Sequence, residues 1–200
     1  MSTVGLAWTR RLAHAASVHG VDFVDAPVSG SDGPARDRQL VVLASGPERT
    51  REKTIAILRA VGRQTLWLGE AGNGTKLKLA LNNWLVAQVE AVAETLRLAA
   101  ALDMDPTRFV EAIDGGPLGS PFAVAKANAM LDGELDPGFA LRDALKDVRL
   151  VLDAAQERGV SLPLTEQVER RFDHAKAEGH GDEDVASVIQ LTTPIKEQAA

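Results

Sequence analysis

The sequence contains no cysteine among its 200 residues. This absence excludes disulfide bonds, thiolate nucleophiles and metal sites with cysteine ligands, and it fits a reducing compartment such as the cytoplasm. Histidine is scarce, and its spacing is not that of metal ligands, so we predict no metal site. The histidines are His14, His19, His174 and His180.

A basic tract and a membrane-spanning run are also missing. The formal net charge is −6, and because phosphate neutralisation needs clustered lysine and arginine, nucleic acid is a poor candidate partner. The first residues lack the apolar core of a signal peptide. The most apolar stretch, residues 77–102, contains polar side chains such as Asn82 and Glu90, which make it too polar to cross a bilayer. We therefore expect a soluble cytoplasmic protein with neither a membrane nor a nucleic-acid partner.

The residues that are present divide the chain into two halves. Up to residue 68, short β-rich segments alternate with a helical pattern, which predicts an α/β sheet. After Gly74 every periodic segment is helical. We predict two domains, residues 1–70 and residues 71–200. The predicted strands are 21–25, 40–44 and 65–68, and the predicted helices are 48–60, 75–102, one from Pro106, 121–131, 139–158, 163–178 and 182–191.

The start of the long predicted helix carries the pattern G-x-G-x-x-x-K-x-x-x-N, from Gly72 and Gly74 to Lys78 and Asn82. Lys78 and Asn82 lie four residues apart, on one helix face that continues with apolar residues. A desolvated lysine can act as an acid/base because burial lowers its pKa, and an amide can hold a substrate. The two glycines allow a ligand close to the helix N-terminus, which favours an anion. On their own, these residue types favour a plainer interpretation, a surface lysine and a structural amide.

A second pattern follows the first predicted strand. It reads D-A-P-V-S-G-S, from Asp25 to Ser31. Ser29 and the backbone N–H groups beside it could bind a carboxylate. From composition alone, an ordinary exit from a strand into a loop is the simpler interpretation.

A third pattern opens another predicted helix, where Phe139 precedes Lys146 and Asp147. Phe139 and Asp147 are eight residues apart, just over two helical turns, so they lie on roughly one face. Taken alone, this pattern fits a core phenylalanine with solvated charges, in which Lys146 and Asp143 form a surface pair of little energetic value.

Together and in this order, the three patterns resemble the motifs of the β-hydroxyacid dehydrogenases, the family of 3-hydroxyisobutyrate dehydrogenase. The resemblance covers nearly the whole chain. It implies an α/β remnant of a Rossmann-like sheet followed by an all-α helical domain, similar to the C-terminal domain of 6-phosphogluconate dehydrogenase. It implies that Lys78 is the catalytic general acid/base. It further implies substrate-binding roles for Ser29, Gly30, Ser31 and Asn82, and cofactor-binding roles for Gly72, Gly74, Phe139, Lys146 and Asp147.

The same resemblance implies an enzyme that reversibly oxidises a small 3-hydroxy acid to its aldehyde or keto form, with NAD or NADP as the cofactor. It also implies a homodimer, and the long helix, with apolar residues on most of its faces, favours burial against a second copy. Ser31 stands where the family usually has a second glycine, so it adds a hydroxyl to the carboxylate-binding loop.

One family feature, the G-x-G-x-x-G turn that grips the dinucleotide, does not occur in these 200 residues. Residues 2–4 resemble the end of a late strand of the dinucleotide-binding domain. We therefore expect the 200 residues by themselves to be a poor dehydrogenase. Two alternatives to the enzyme stay open: a truncated, non-catalytic helical dimerisation module of the same fold, and an imine reductase.

Overall fold

The computed structural model of the protein describes residues 3–191. Contacts divide these residues into two compact units. The first comprises the described residues up to Trp84 together with Lys146–Pro163, and the second comprises Leu85–Leu145 together with the described residues from Leu164 onward. The two predicted domains, in contrast, were divided at residue 70 by type of secondary structure, with the sheet before it and the helices after it. That boundary stays a prediction.

The first unit contains a three-stranded sheet in the order β1-β2-β3. The two-residue strand β1 (Val28–Ser29) is antiparallel to β2 (Leu40–Ala44), and β3 (Gly62–Trp67) is parallel to β2. β2 is the central strand and a continuous apolar run, as expected for a strand that is covered on both faces. A small core forms around Val42, Ala44 and Leu58, with Ala26, Val28 and Trp67 packed against it.

Helices make up most of the remaining structure. Three of them, α1 (Leu6–Val18), α2 (Asp32–Arg36) and α3 (Arg51–Leu58), belong to the first unit. Two long helices, α4 (Asn73–Ala101) and α7 (Leu141–Glu157), each contribute residues to both units. The second unit also holds α5 (Thr107–Ile113), α6 (Pro121–Asp132) and most of α8 (Pro163–Ala177). The predicted fold class is therefore confirmed: a small sheet comes first and a mostly helical region follows.

The long helix α4 forms because alanine and leucine dominate it, and neither glycine nor proline occurs in it after Gly74. Buried side chains recur along it every three or four residues, which is the period of a single helix face. These side chains are Leu79, Asn82, Val86, Val89, Ala93 and Leu96. Asn82 is the polar member of this apolar row, so its amide needs a hydrogen-bonding partner inside the protein.

The strand predicted at residues 21–25 is wrong. Only Asp25 pairs with the sheet, in an isolated antiparallel bridge to Ser45. Continuing that register would place residues 23 and 24 opposite Pro47 and Gly46. Proline has no N–H to donate, and the chain turns there into a 3-10 helix at Glu48–Thr50, so no ladder can extend. The strand-like end suggested at residues 2–4 falls partly outside the described residues, and Thr3 and Val4 belong to no strand.

The α-helix predicted at residues 182–191 is also wrong, because the structure has two 3-10 helices there, His180–Asp182 and Val185–Gln190. The backbone N–H groups of Asp184 and Val185 donate to the carbonyls of Leu135 and Phe139, so they are not available to a continuous helix. The short helix α2 and the longer helix α1 were not predicted. Within residues 3–191, no helix combines the length and the apolar character needed to cross a membrane.

Candidate active site

Lys78 lies half-buried in the second turn of α4. Burial is the largest influence on its ammonium group and lowers the pKa of Lys78 below the ordinary value of 10.5. The Asp147 carboxylate raises this pKa, whereas the positive charge of Lys146 lowers it further. Lys78 therefore releases its proton at a lower pH than an exposed lysine does, which is what an acid/base group requires.

A buried hydrogen bond joins Asn82 of α4 to Asp147 of α7, with Asn82 Nδ2 donating to Asp147 Oδ2 at 2.6 Å. These residues are only 2% and 3% exposed. The other carboxylate oxygen accepts from Lys146 Nζ at 2.6 Å, and Lys146 also donates to the backbone carbonyl of Thr3 at 3.1 Å. The structure thus brings four of the predicted site residues, Lys78, Asn82, Lys146 and Asp147, together within the first unit.

The N-terminus of α4 is capped by a carboxylate from a distant part of the chain. Asp25, which is 8% exposed, accepts hydrogen bonds from the backbone N–H of Gly72 at 2.7 Å and of Thr75 at 2.8 Å. The Thr75 hydroxyl also donates to Asp25 Oδ2 at 3.0 Å, and the Ser45 hydroxyl donates to Asp25 Oδ1. A carboxylate satisfies the unpaired N–H groups at a helix start and interacts favourably with the helix dipole. Asp25 thus supplies a negative charge at the start of α4.

Gly74 makes this arrangement sterically possible. A Cβ atom at Gly74 would lie 2.2 Å from the carbonyl oxygen of Leu43, so no other residue fits without moving the strand. The Gly74 N–H donates to Ser45 Oγ at 2.9 Å, and the Gly72 N–H is bonded to Asp25. The contacts of both glycines position the start of α4 and involve only residues of the protein. The cofactor-binding role of Gly72 and Gly74 therefore stays a prediction.

Replacing Asp25 with alanine is expected to lower the free energy of unfolding by about 2–3 kcal/mol, because the buried N–H groups of Gly72 and Thr75 lose their acceptor. Urea denaturation of the 200-residue chain measures the change. Asp25→Asn should cost less, because its amide oxygen still accepts. Asp32 in α2 is exposed, so Asp32→Ala serves as the control and should change stability by less than about 0.5 kcal/mol. Equal losses from the two alanine variants would contradict the capping role.

The predicted carboxylate-binding residues lie at the end of β1 and directly after it. Ser29 is the last residue of that strand and faces Val41 of β2 in the ladder. Gly30 has a φ of +126°, and a Cβ atom there would lie 2.7 Å from Leu40 Cδ2, so the turn requires glycine. Ser31 is the N-cap residue of α2, but its side chain forms no capping hydrogen bond. Gly30 and Ser31 are exposed, and their substrate-binding role stays a prediction.

Phe139 belongs to the second unit, where it is partly exposed just before α7. Its backbone N–H donates to the carboxylate of Asp184 at 3.2 Å. The roles of Asp25 and Asp184 were not predicted, and no local pattern could have shown the bonds from Gly72 to Asp25 and from Phe139 to Asp184, because these residues lie 47 and 45 positions apart in the chain. Within the described residues, no group of three or more histidine or carboxylate side chains could hold a metal ion.

Two family models match the chain in succession. Residues 1–69 match a model described as the NAD binding domain of 6-phosphogluconate dehydrogenase. Residues 72–192 match a model described as NAD-binding of NADP-dependent 3-hydroxyisobutyrate dehydrogenase. The chain belongs to the β-hydroxyacid dehydrogenase family. The predicted family is thereby confirmed.

Other members of the β-hydroxyacid dehydrogenase family are similar over nearly the whole chain. Glyoxylate/succinic semialdehyde reductase 1 of Arabidopsis thaliana is 33% identical over 190 residues, which are 95% of this chain and 66% of the reductase. The structure of 3-hydroxyisobutyrate dehydrogenase from Salmonella typhimurium superimposes with a TM-score of 0.87 at 26% identity, over 96% of this chain and 67% of that one. The Mycobacterium tuberculosis 3-hydroxyisobutyrate dehydrogenase solved with L-serine gives a TM-score of 0.85 at 26% identity, over 94% and 67%. The chain thus spans about two thirds of the length of these relatives.

Proposed function

We propose that this chain supplies the acid/base and substrate-binding residues of an NAD(P)-dependent oxidoreductase that interconverts a small 3-hydroxy acid and its aldehyde or keto form. The observation that carries the proposal is the half-buried Lys78 with its lowered pKa, one helical turn from Asn82 and next to Asp147. The relatives named above support a small hydroxy acid or its aldehyde as the substrate, and the position of the hydroxyl at carbon 3 is supported by the 3-hydroxyisobutyrate dehydrogenases among them.

Lys78 handles the proton in this mechanism. In the reductive direction its Nζ donates a proton to the carbonyl oxygen as that oxygen becomes a hydroxyl, and in the oxidative direction the neutral amine takes the hydroxyl proton. The nicotinamide, when bound, supplies or accepts the hydride. The lowered pKa of Lys78 helps in both directions, because it brings the charged and neutral forms of the amine closer in free energy near neutral pH.

The neighbours of Lys78 hold the site in place. Asp147 fixes the Asn82 amide through their buried hydrogen bond, so that this amide keeps one orientation towards a substrate. Lys146 is about half exposed and offers its Nζ at the edge of the cluster, which fits the polar end of a nicotinamide. The N–H groups of Gly72 and Gly74 do not fit a pyrophosphate, because Asp25 and Ser45 already accept them. The exposed backbone at Gly30 and Ser31 is the candidate site for the substrate carboxylate.

The proposal is tested with the full-length gene product that contains these residues. Glyoxylate and succinic semialdehyde are offered with NADH or NADPH, and 3-hydroxyisobutyrate and L-serine with NAD⁺ or NADP⁺. Turnover of 3-hydroxyisobutyrate or L-serine, which both carry a hydroxyl at carbon 3, is the expected result, whereas turnover of glyoxylate or succinic semialdehyde alone would contradict the 3-hydroxy acid class. Cofactor binding without turnover of any acid would favour the non-catalytic module, and preferential reduction of a cyclic imine would favour the imine reductase.

The pH dependence should differ between the two directions. Reduction needs protonated Lys78, so kcat/KM for an aldehyde acid is expected to be full at low pH and to fall as the pH rises through the lowered pKa of Lys78. Oxidation needs the neutral amine, so its kcat/KM should rise through the same pKa. Initial rates measured in both directions across one buffer series provide the two curves. Inflections at or above 10.5, the ordinary value for lysine, would contradict the assignment.

We also propose a cytoplasmic homodimer in which α4 takes part in the interface. Trp84 and Leu98 are 63% and 59% exposed on this helix, although both are large apolar residues. Burying such side chains against a second copy removes apolar surface from water. Val89, Val92 and Leu96 of the same helix are already buried within the chain.

Light scattering of the purified chain at micromolar concentration is expected to give the mass of a dimer. Trp84→Glu should shift that mass towards the monomer, because a charge in an apolar interface is costly to desolvate. Trp8 is also exposed but lies on α1, so Trp8→Glu is the matched control and should remain dimeric. A monomeric wild-type chain at these concentrations would rule the dimer out.

A further inference from the structure

An apolar groove runs along the seam between α4 and α7, outside the candidate active site. Two buried side chains, Leu79 of α4 and Val151 of α7, line it. The other helical residues that line the groove include Ala80, Ala154 and Ala155, whose small side chains leave a cavity of about 460 Å³ between the helices. All of these residues belong to the first unit.

The groove and the acid/base lie on different sides of α4. Ala80 is two residues from both Lys78 and Asn82, which on an α-helix is a rotation of about 200°. On α7 the groove begins at Val151, about one turn beyond Asp147, and continues towards the end of the helix. A ligand in the groove therefore occupies a place separate from Lys78.

A positive charge marks one end of the groove. Arg158 follows Glu157, the last residue of α7, and lines the groove with an exposed residue. Glu157 pairs with Arg10 at 3.0 Å, and in the part of the chain that the structure describes no carboxylate forms an ion pair with Arg158. The other cation that lines the groove, Lys76, is held by Asn73 Oδ1 at 2.8 Å. The Arg158 guanidinium is thus uncompensated, although the chain as a whole has a net charge of −6.

The size and the lining of the groove fit a small molecule better than a second protein. Ligand pockets have volumes of about 300–1,000 Å³ and are lined by apolar side chains with a few polar groups. A stable protein interface instead needs roughly 1,000 Å² or more of buried surface. Apolar walls favour a hydrocarbon chain, and a guanidinium binds a carboxylate through two parallel hydrogen bonds. The complementary ligand is therefore an apolar chain with a negative charge at one end.

We propose that this groove binds a medium-chain carboxylate, with the hydrocarbon along the α4–α7 seam and the carboxylate on Arg158. Val160, which lines the groove and is 54% exposed although it is apolar, loses contact with water when the hydrocarbon is bound. The site is distinct from the one proposed for the oxidoreductase, so its ligand is not the substrate.

Calorimetric titration of the 200-residue chain with decanoate tests the proposal. Saturable binding of a single decanoate per chain is the expected result. Hexanoate should bind roughly 100-fold more weakly, because its shorter chain removes less apolar surface from water. Decyltrimethylammonium has the same chain length and the opposite charge, so it should bind at least roughly 10-fold more weakly than decanoate. Equal affinities for the carboxylate and the cation would overturn the proposal, because the binding would then be unselective.

Two variants place the ligand in the groove. Arg158→Met is expected to weaken decanoate binding roughly 10-fold, because the carboxylate loses a charged hydrogen-bonding partner. Arg59 is also an exposed arginine directly after a helix, α3, so Arg59→Met is the matched control and should bind decanoate like the wild type. Ala155→Phe fills the groove and should abolish binding. Decanoate affinity that is unchanged in Arg158→Met, a surface variant that leaves the core intact, would overturn the proposal.

The same titration identifies other occupants and other sites. Decanoate held at the candidate carboxylate site of Gly30 and Ser31 would be insensitive to both Arg158→Met and Ala155→Phe, which would overturn the proposal. A second copy of the chain is the competing occupant, because the exposed Trp84 lies one turn after Ala80 on α4. Decanoate binding by Trp84→Glu but not by the wild-type chain would show that a second copy covers the groove, and the proposal would then be wrong.

Discussion

Lys78→Met in the full-length gene product is expected to lower kcat by about 10²–10⁴-fold while leaving the affinity for NAD(P)H nearly unchanged. This is the range in which a positioned acid/base group contributes, and methionine fills similar space without a proton to donate. Lys78→Arg should fail as well, because a guanidinium stays protonated and cannot accept the hydroxyl proton. Steady-state kinetics combined with calorimetric titration of the cofactor separates the loss of chemistry from a loss of binding.

Lys76 provides the matched control for this experiment. It lies two residues earlier on α4, is exposed, and donates to Asn73 Oδ1 at 2.8 Å. Lys76→Met should therefore retain wild-type turnover. Near wild-type turnover in Lys78→Met, or an equal loss in both variants, would show that Lys78 is not the acid/base.

The same substitution should make the protein more stable. Because burial lowers the pKa of Lys78 in the folded state, the unfolded chain binds this proton more tightly, and protonated Lys78 lowers the stability of the fold. This loss of folding free energy is complete at pH values below the lowered pKa of Lys78. It becomes smaller as the pH rises from that pKa towards 10.5, the ordinary value for lysine. Lys78→Met removes this buried charge, so the variant should gain most stability near neutral pH and less in alkaline buffer. The variant would then lose activity and gain stability, a common exchange at active sites.

Glu90→Ala is expected to lower the free energy of unfolding by about 3–5 kcal/mol, the cost of breaking a buried ion pair. Glu90 on α4 is 4% exposed and pairs with Arg171 of α8 inside the second unit. Without Glu90 the partly buried guanidinium of Arg171 loses its counter-ion. It is also repelled by Arg97, whose pKa is lowered by burial and further by the charge of Arg171. Urea denaturation of the 200-residue chain measures the loss.

Two further variants sharpen this measurement. Glu111 forms an exposed pair with Arg108, so Glu111→Ala should cost less than about 1 kcal/mol. The double substitution Glu90→Met/Arg171→Met should recover most of the stability, because apolar side chains of similar size need no desolvation of charge. A double variant as unstable as Glu90→Ala would show that packing, rather than the unpaired charge, accounts for the loss.

The stability should also depend on pH through Glu90. Burial raises the pKa of Glu90 above the ordinary value of 4.5, and Arg171 lowers it by a smaller amount. The folded state therefore holds this proton more tightly than the unfolded chain does. Protonated Glu90 therefore stabilises the fold fully below pH 4.5, and this stabilisation is lost as the pH rises through the raised pKa of Glu90. Glu90→Gln should remove this pH dependence of the free energy of unfolding.

Much of the fold and part of the site could be predicted from the sequence. The central strand was predicted at residues 40–44, where the structure has β2, and α4, α6, α7 and α8 begin and end within about two residues of their predicted bounds. The shared face of Lys78 and Asn82 also follows from the sequence, because both lie on one helix and the helical period is local. Lys146 and Asp147 are adjacent in the sequence, so their closeness on α7 is also a local property.

What the sequence could not determine depends on contacts between distant residues. The strand predicted at residues 21–25 had the right composition, but its extension beyond Asp25 depended on a partner that turns away at Pro47. The polar contacts that complete the candidate site join residues 65 positions apart for Asn82 and Asp147, and 47 for Gly72 and Asp25. A helical or strand period reports only neighbours along one element. Which carboxylate meets which amide is decided when the elements pack, and tertiary structure alone fixed that here.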